Sequence, residues 1–254
     1  MSTLTRKAIV TGGGGAIGGA VALALAEAGC AIGLIGRNPC SETAERIRAS
    51  GGEAFDHPCD LSDPEALRAA FAAALADLGG LDILVTAAGV TSFGSAASID
   101  IAEWDRVMAI NLRGVFLCCQ AAIAPMRARG GGRIINIGSV LAKNGGNARP
   151  WINPAEQARA ANAAYGAAKA GVHAMSLYLA KELAADGITV NVVAPGPIAS
   201  AMTSEFPKAL QDLIPVGRLG RKEEVAAAVS FLAGENAGFI TGEVLDLNGG
   251  LWND

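Results

Sequence analysis

A short apolar run, Lys7-Ala-Ile-Val-Thr11, opens directly into Gly12-Gly-Gly-Gly15-Ala16-Ile17-Gly18-Gly19, and an Ala/Leu stretch follows to about Ala28. Strand, glycine loop and helix in this order limit the fold more than anything else in the chain. Glycines permit the turn and leave backbone N–H groups open to an anion at a helix N-terminus. The competing reading is a flexible turn with no ligand. Ala31-Ile-Gly-Leu-Ile35 supplies a second strand and completes a β-α-β unit.

The same alternation continues. Strands are expected at Ala54–Cys59, Leu81–Val85, Arg133–Ile137, Ile188–Val192 and Gly242–Gly250. Helices are expected at Ser41–Ser50, after Ser62-Asp63-Pro64-Glu65, at Ile101–Arg129, from Tyr165 to Ala185 and at Lys222–Ala233. Alternation of this kind predicts an α/β fold: one doubly wound, seven-stranded parallel sheet with helices on both faces. All of 1–254 reads as a single domain, with irregular segments near 141–162 and 199–216 placed to act as substrate loops. A chain of 254 residues, 51% apolar and 17% charged, has enough core to fold in this way. Its net charge of -4 gives no basic footprint for nucleic acid. No apolar run reaches membrane-spanning length without polar interruption. The five cysteines (Cys30, Cys40, Cys59, Cys118, Cys119) lack metal-ligand spacing, and no metal site is expected. Reduced thiols and the absence of a charged-apolar-small leader point to a cytoplasmic protein.

Chemistry concentrates at Tyr165-Gly-Ala-Ala-Lys169. Residues four apart share a helix face, so a phenol and an ammonium lie together over small residues. A neighbouring cation is expected to lower the phenol's pKa, so that it exchanges a proton near neutral pH. Ser139 follows the fifth strand at its carboxyl end, where ligands of open α/β sheets bind; its hydroxyl either holds a substrate oxygen or begins a loop. Asn111 sits inside a helix, an uncommon place that chance alone can explain. After the second strand, glycine stands at Gly36 where an acid would bind the adenosine ribose, and Arg37 follows. This favours NADP(H), with NAD(H) also possible; a solvated loop arginine is the alternative. Asp60 either accepts from an adenine amine or caps the next helix. Arg149 and Trp151 contact substrate or merely pack on the surface.

Placed in order, these pieces closely resemble the short-chain dehydrogenase/reductase family in its single-domain form, over nearly the whole chain. Thr11-Gly12 through Gly18 is similar to the TGxxxGxG loop, with Ala16 at its middle glycine. Thr86-Ala87-Ala88-Gly89 stands where the family has NNAG. Pro195-Gly196 with Ile198 and Ser200 matches PGxxxT, serine replacing threonine. The resemblance implies a catalytic set of Asn111, Ser139, Tyr165 and Lys169. It implies cofactor contacts at Gly12, Gly14, Gly15, Ile17, Arg37, Asp60, Leu61, Ala87, Ala88, Gly89, Tyr165, Lys169, Pro195, Gly196, Ile198 and Ser200. It also implies that Asn111 holds a water linking Lys169 to solvent.

The function so implied is an NAD(P)-dependent oxidoreductase interconverting a secondary alcohol and a ketone, with Tyr165 as acid and base. A sugar or polyol, a secondary alcohol or a 3-oxoacyl compound would suit the set as small-molecule substrate. The alternatives are a non-catalytic NADP(H)-binding sensor or scaffold, and an isomerase or dehydratase on the same fold. Relatives imply a homotetramer, or a dimer.

Overall fold

Each apolar run forms a strand. The computed structural model describes residues 5–253, so residues 1–4 and 254 of the expected domain lie outside the described residues. Among the described residues, seven strands make one sheet: β1 (Lys7–Thr11), β2 (Ala31–Gly36), β3 (Ala54–Pro58), β4 (Ile83–Thr86), β5 (Gly132–Ile137), β6 (Ile188–Pro195) and β7 (Val244–Leu247). The order is β3-β2-β1-β4-β5-β6-β7, and every pairing is parallel. The strands read as nearly continuous apolar runs because helices cover both faces. β2 and β6 are buried along their whole length.

The helices are α1 (Ala16–Glu27), α2 (Ser41–Ala49), α3 (Pro64–Leu78), α4 (Ile101–Met108), α5 (Val115–Ala128), α6 (Leu141–Asn144), α7 (Pro154–Ala160), α8 (Ala163–Leu183), α9 (Lys208–Gln211) and α10 (Lys222–Ala233). One core layer joins Val21, Leu25, Val225 and Val229 of α1 and α10 to Val10, Leu34 and Val85 of the sheet. The other joins Leu67 and Phe71 of α3, Cys119 and Met126 of α5 and Val172 of α8 to Ile9, Leu84 and Ile134. The chain leaves β1 for one side of the sheet and β4 for the other. The crevice at their carboxyl ends is therefore the place for a ligand.

Several boundaries differ from expectation for local reasons. Gly242, Gly249 and Gly250 take φ values of 79°, 67° and 84°, which confines β7 to Val244–Leu247. The segment 141–162 is not wholly irregular, since it holds α6 and α7. Asn153 Oδ1 accepts from the Glu156 N–H at 2.8 Å and Pro154 occupies the first turn, a helix start readable in the sequence. The segment 199–216 likewise contains a short 3-10 turn, Ala201–Thr203, and α9.

The expected helix Ile101–Arg129 is continuous but carries a π turn, Ala109–Gly114, between α4 and α5. By length and composition this stretch, Ile101–Ala128, could cross a membrane, its most apolar 18 residues having a mean hydropathy of 1.7, although polar residues such as Glu103, Asp105, Arg106 and Arg127 interrupt it. Its inner side is core, through Val107, Val115, Cys118 and Met126. All five cysteines are free and buried.

Candidate active site

Four strand ends deliver the site. Thr11 ends β1 and binds the neighbouring turn: its carbonyl accepts from Ala87 N–H, and its Oγ1 accepts from Ala88 N–H, each at 3.2 Å. The turn is held here by main-chain donors, with Thr86 and Ala87 standing where the family has asparagines. Gly12 has φ 71°, and a Cβ there would lie 2.7 Å from Ala88 N. A Cβ on Gly18 would lie 2.2 Å from Gly12 O. The loop thus folds back tightly on itself. Helix α1 begins at Gly15 with no side-chain cap and no acid in its first turn, so its N–H groups keep their capacity for an anion. Gly14 and Gly15 are exposed at this cradle, and Ile17 turns inward against the core.

Beyond β5, Ser139 Oγ accepts from Leu141 N–H at 3.1 Å, and the Ser139 side chain lies near enough to the Tyr165 phenol to act on its pKa. One turn along α8, the Lys169 ammonium is buried and donates to Ile137 O at 2.6 Å. It lies 5.9 Å from the centre of the Tyr165 ring. Asn111, wholly buried in the π turn, clamps the Val90 peptide groups: Oδ1 accepts from Val90 N–H and Nδ2 donates to Val90 O, both at 2.8 Å. A Cβ on Gly89 would lie 3.4 Å from Asn111 Oδ1 and 3.8 Å from Lys169 Nζ, so these groups surround one point. The four expected catalytic residues are therefore brought together.

One expected detail is corrected. Burial pushes the Tyr165 phenol up, and the Ser139 side chain pulls it down; the Lys169 charge is not among the causes. Lys169 is itself desolvated, which lowers its ammonium to about 8, and it donates to Ile137 O. The Asn111 amide spends one acceptor site and one N–H on Val90 and keeps a second of each. Replacing Asn111 by Leu would strand the buried Val90 groups. We expect a loss of about 2–4 kcal/mol in unfolding free energy, read from urea denaturation; an unchanged midpoint would contradict this account.

The remaining expected contacts line the same edge. Pro195 O accepts from Val140 N–H, and Gly196 N–H donates to Leu247 O, both at 2.9 Å. A Cβ on Gly196 would lie 2.9 Å from Asn248 Cα. Ile198 is buried and bridges Gly220. Ser200 begins the turn Ala201–Thr203 in a reciprocal arrangement with Thr203, whose Oγ1 donates to Ile198 O at 2.8 Å. Sequence reasoning missed Thr203, although a hydroxyl three residues after a serine is a capping signal. Asp60 caps no helix; Asp63 does. Asp60 Oδ1 accepts from Ser62 N–H at 2.8 Å and Ser62 Oγ at 2.7 Å, which, with Arg37 nearby, holds its carboxyl below the usual range. Leu61 is buried, leaving only its main chain for a ligand. Arg37 is exposed, and a Cβ on Gly36 would lie 3.0 Å from Cys40 Sγ.

Arg149 is not held for a substrate. It pairs with Glu156 within the loop, at 2.5 Å from Nη2 to Oε1, and Glu156 also accepts from Ile152 N–H. Lys143 pairs with Asp246 of β7 at 2.9 Å.

A family profile described as Enoyl-(Acyl carrier protein) reductase matches residues 14–252. The chain belongs to the short-chain dehydrogenase/reductase family. Among curated short-chain dehydrogenase/reductase proteins it is 40% identical to nodulation protein G of Azospirillum brasilense, with 96% of this chain and 97% of that protein covered. It is 37% identical to the 3-oxoacyl-(acyl-carrier-protein) reductase FabG of Staphylococcus aureus, with 98% and 99% covered. Among solved structures, a short-chain dehydrogenase/reductase from Serratia marcescens superposes with a TM-score of 0.87 at 34% identity, covering 97% of each chain. The chain is accordingly an oxidoreductase of the short-chain dehydrogenase/reductase family, whose members use NAD(P)(H) and act on small molecules.

Proposed function

We propose that this oxidoreductase interconverts a secondary alcohol and a ketone, with NADP(H) preferred. The observation that carries the reading is the Ser139–Tyr165 hydroxyl pair with the Lys169 ammonium one turn away. A dinucleotide fits the crevice on two counts: close backbone packing at Gly12, Gly18 and Gly196 keeps the turns folded back beside it, and the uncapped start of α1 faces it. When bound, a nicotinamide dinucleotide supplies or accepts the hydride. Ser139 and Tyr165 hold the substrate oxygen between two hydroxyls. Tyr165 gives a proton to that oxygen in reduction and takes it in oxidation. Lys169, with an ammonium already near 8, exchanges protons readily at neutral to mildly alkaline pH. Asn111 fixes Val90, and through it the turn containing Gly89. The pyrophosphate would be held by Gly12, Gly14, Gly15 and Ile17, the adenosine by Arg37, Asp60 and Leu61. The nicotinamide side would be held by Ala87, Ala88, Gly89, Pro195, Gly196, Ile198 and Ser200.

The preference for NADP(H) is supported by the exposed Arg37 and by Cys40 Sγ, which crowds the place where a ribose-binding acid would stand. Arg37→Ala is expected to weaken NADPH binding at least tenfold more than NADH binding, because one charge-assisted contact to the phosphate is lost. Titration of both cofactors checks this; equal losses would remove Arg37 from phosphate recognition. The likeness to a 3-oxoacyl reductase supports testing 3-oxoacyl thioesters first, then polyols and simple ketones. Consumption of NADPH in proportion to alcohol formed is the deciding assay. Binding without consumption would make the protein a sensor, and product without consumption an isomerase or dehydratase. A cytoplasmic homotetramer fits two exposed apolar faces, one carrying Phe116 and Tyr178 on α5 and α8, the other Phe231 and Phe239 on and after α10.

A further inference from the structure

We propose that His173 is a positioning residue that holds the main chain of Ser139, and that position 138 is glycine because the His173 ring fills the place of its side chain. His173 lies on α8, four residues beyond Lys169, and is buried. The Ser139 N–H donates to its Nε2 at 3.3 Å. That bond needs an unprotonated Nε2, so the neutral ring carries its hydrogen on Nδ1. A Cβ on Gly138 would lie 2.1 Å from His173 Nε2, 2.7 Å from His173 Cδ2 and 2.6 Å from Val192 Cγ1. Glycine 138 and histidine 173 therefore occupy one space between α8 and β6, and each requires the other.

The consequence falls on Ser139. Its peptide is fixed on one side by Gly138 N–H donating to Val193 O at 2.8 Å, and beyond it by Val140 N–H donating to Pro195 O at 2.9 Å. The Ser139 N–H between them is turned away from the sheet partner and has the imidazole as its acceptor. Without that acceptor a buried donor is stranded, and the peptide is driven to rotate toward another partner. Rotation swings Ser139 Oγ away from Tyr165, and misplacement on the scale of 1 Å is enough to slow a reaction about a hundredfold. The same helix thus fixes the tyrosine, the lysine and, through the imidazole, the serine of the opposing strand end.

This inference rests on the reading of Ser139 as a hydroxyl that holds the substrate oxygen, so Ser139→Ala is assayed alongside. His173→Leu keeps most of the volume and removes the acceptor; His173→Gln restores an acceptor through its amide oxygen. On the full chain, His173→Leu is expected to lower kcat about 10–100-fold while the Kd for NADPH stays at its wild-type value and the melting temperature falls by only a few degrees, as the stranded donor requires. His173→Gln is expected to recover most of the rate. If His173→Leu does not fold, His173→Met, a flexible filler without a comparable acceptor, carries the same expectation. Wild-type kcat in the Leu or Met variant, with Ser139→Ala inactive, overturns the role of His173 and leaves that of Ser139 intact. So does a rate loss that follows NADPH affinity and is not recovered by Gln. Full activity of Ser139→Ala instead overturns the reading of the site, and the inference with it.

Discussion

Tyr165→Phe is expected to leave NADPH affinity and the fold unchanged and to cut turnover by about 10²–10⁴-fold. The substitution removes one oxygen and keeps the ring, so the packing of α8 is untouched. What is lost is the single proton donor that the geometry aims at the substrate oxygen. Ser139 keeps its bond from Leu141 N–H and stays in place, but it has no means of replenishing a proton it gives away. Lys169 cannot substitute, because its ammonium is buried and directed at Ile137 O. Steady-state kinetics in both directions, with cofactor binding followed by fluorescence, checks the expectation. A variant with wild-type turnover would refute the assignment of Tyr165 as acid and base.

Gly18→Ala is expected to weaken both NADPH and NADH at least a hundredfold and to destabilise the chain by about 1–3 kcal/mol. The added methyl would lie 2.2 Å from Gly12 O and 2.7 Å from Gly12 C, both backbone atoms. Gly12 cannot retreat, since it is packed against the Ala87–Ala88 peptide. The loop must therefore move into the cradle, or α1 must shift its first turn. This loss is blind to the 2′-phosphate, which separates it from the Arg37→Ala result. Calorimetric titration with both cofactors and a thermal melt measure the two effects. Undiminished binding would mean that the loop does not line the cofactor crevice.

The fold was legible because its signals are local. A parallel sheet covered on both faces writes itself as apolar runs between glycine turns, and Gly12–Gly18, Asp63-Pro64 and Gly249-Gly250 each mark a junction. That Asn111, Ser139, Tyr165 and Lys169 would come together was expected through the family resemblance, with Tyr165 and Lys169 also tied by helical spacing. Less legible was everything that depends on contacts distant in sequence. No pattern around Asn111 says that Val90 will take both ends of its amide. Nor does the spacing of Tyr165 and Lys169 reveal that burial raises the phenol and lowers the ammonium. The sequence around Arg149 does not choose between substrate contact and surface packing, because Glu156 becomes its partner only when α7 forms. Hydropathy alone would place Ile101–Ala128 in a bilayer, and only the sheet's demand for a cover explains where that helix goes instead.

The π turn at Ala109–Gly114 has a consequence for how this chain tolerates change. Each helical residue advances the direction of its side chain by about 100°. The wide turn inserts a phase shift between α4, whose Val107 packs on Ala164 and Ala168 of α8, and α5, whose Cys118 and Cys119 face the sheet. Removing one residue there would yield a more regular helix with one end pointing the wrong way. Point substitutions along this rod are absorbed locally, whereas a change in its length is felt at both ends at once.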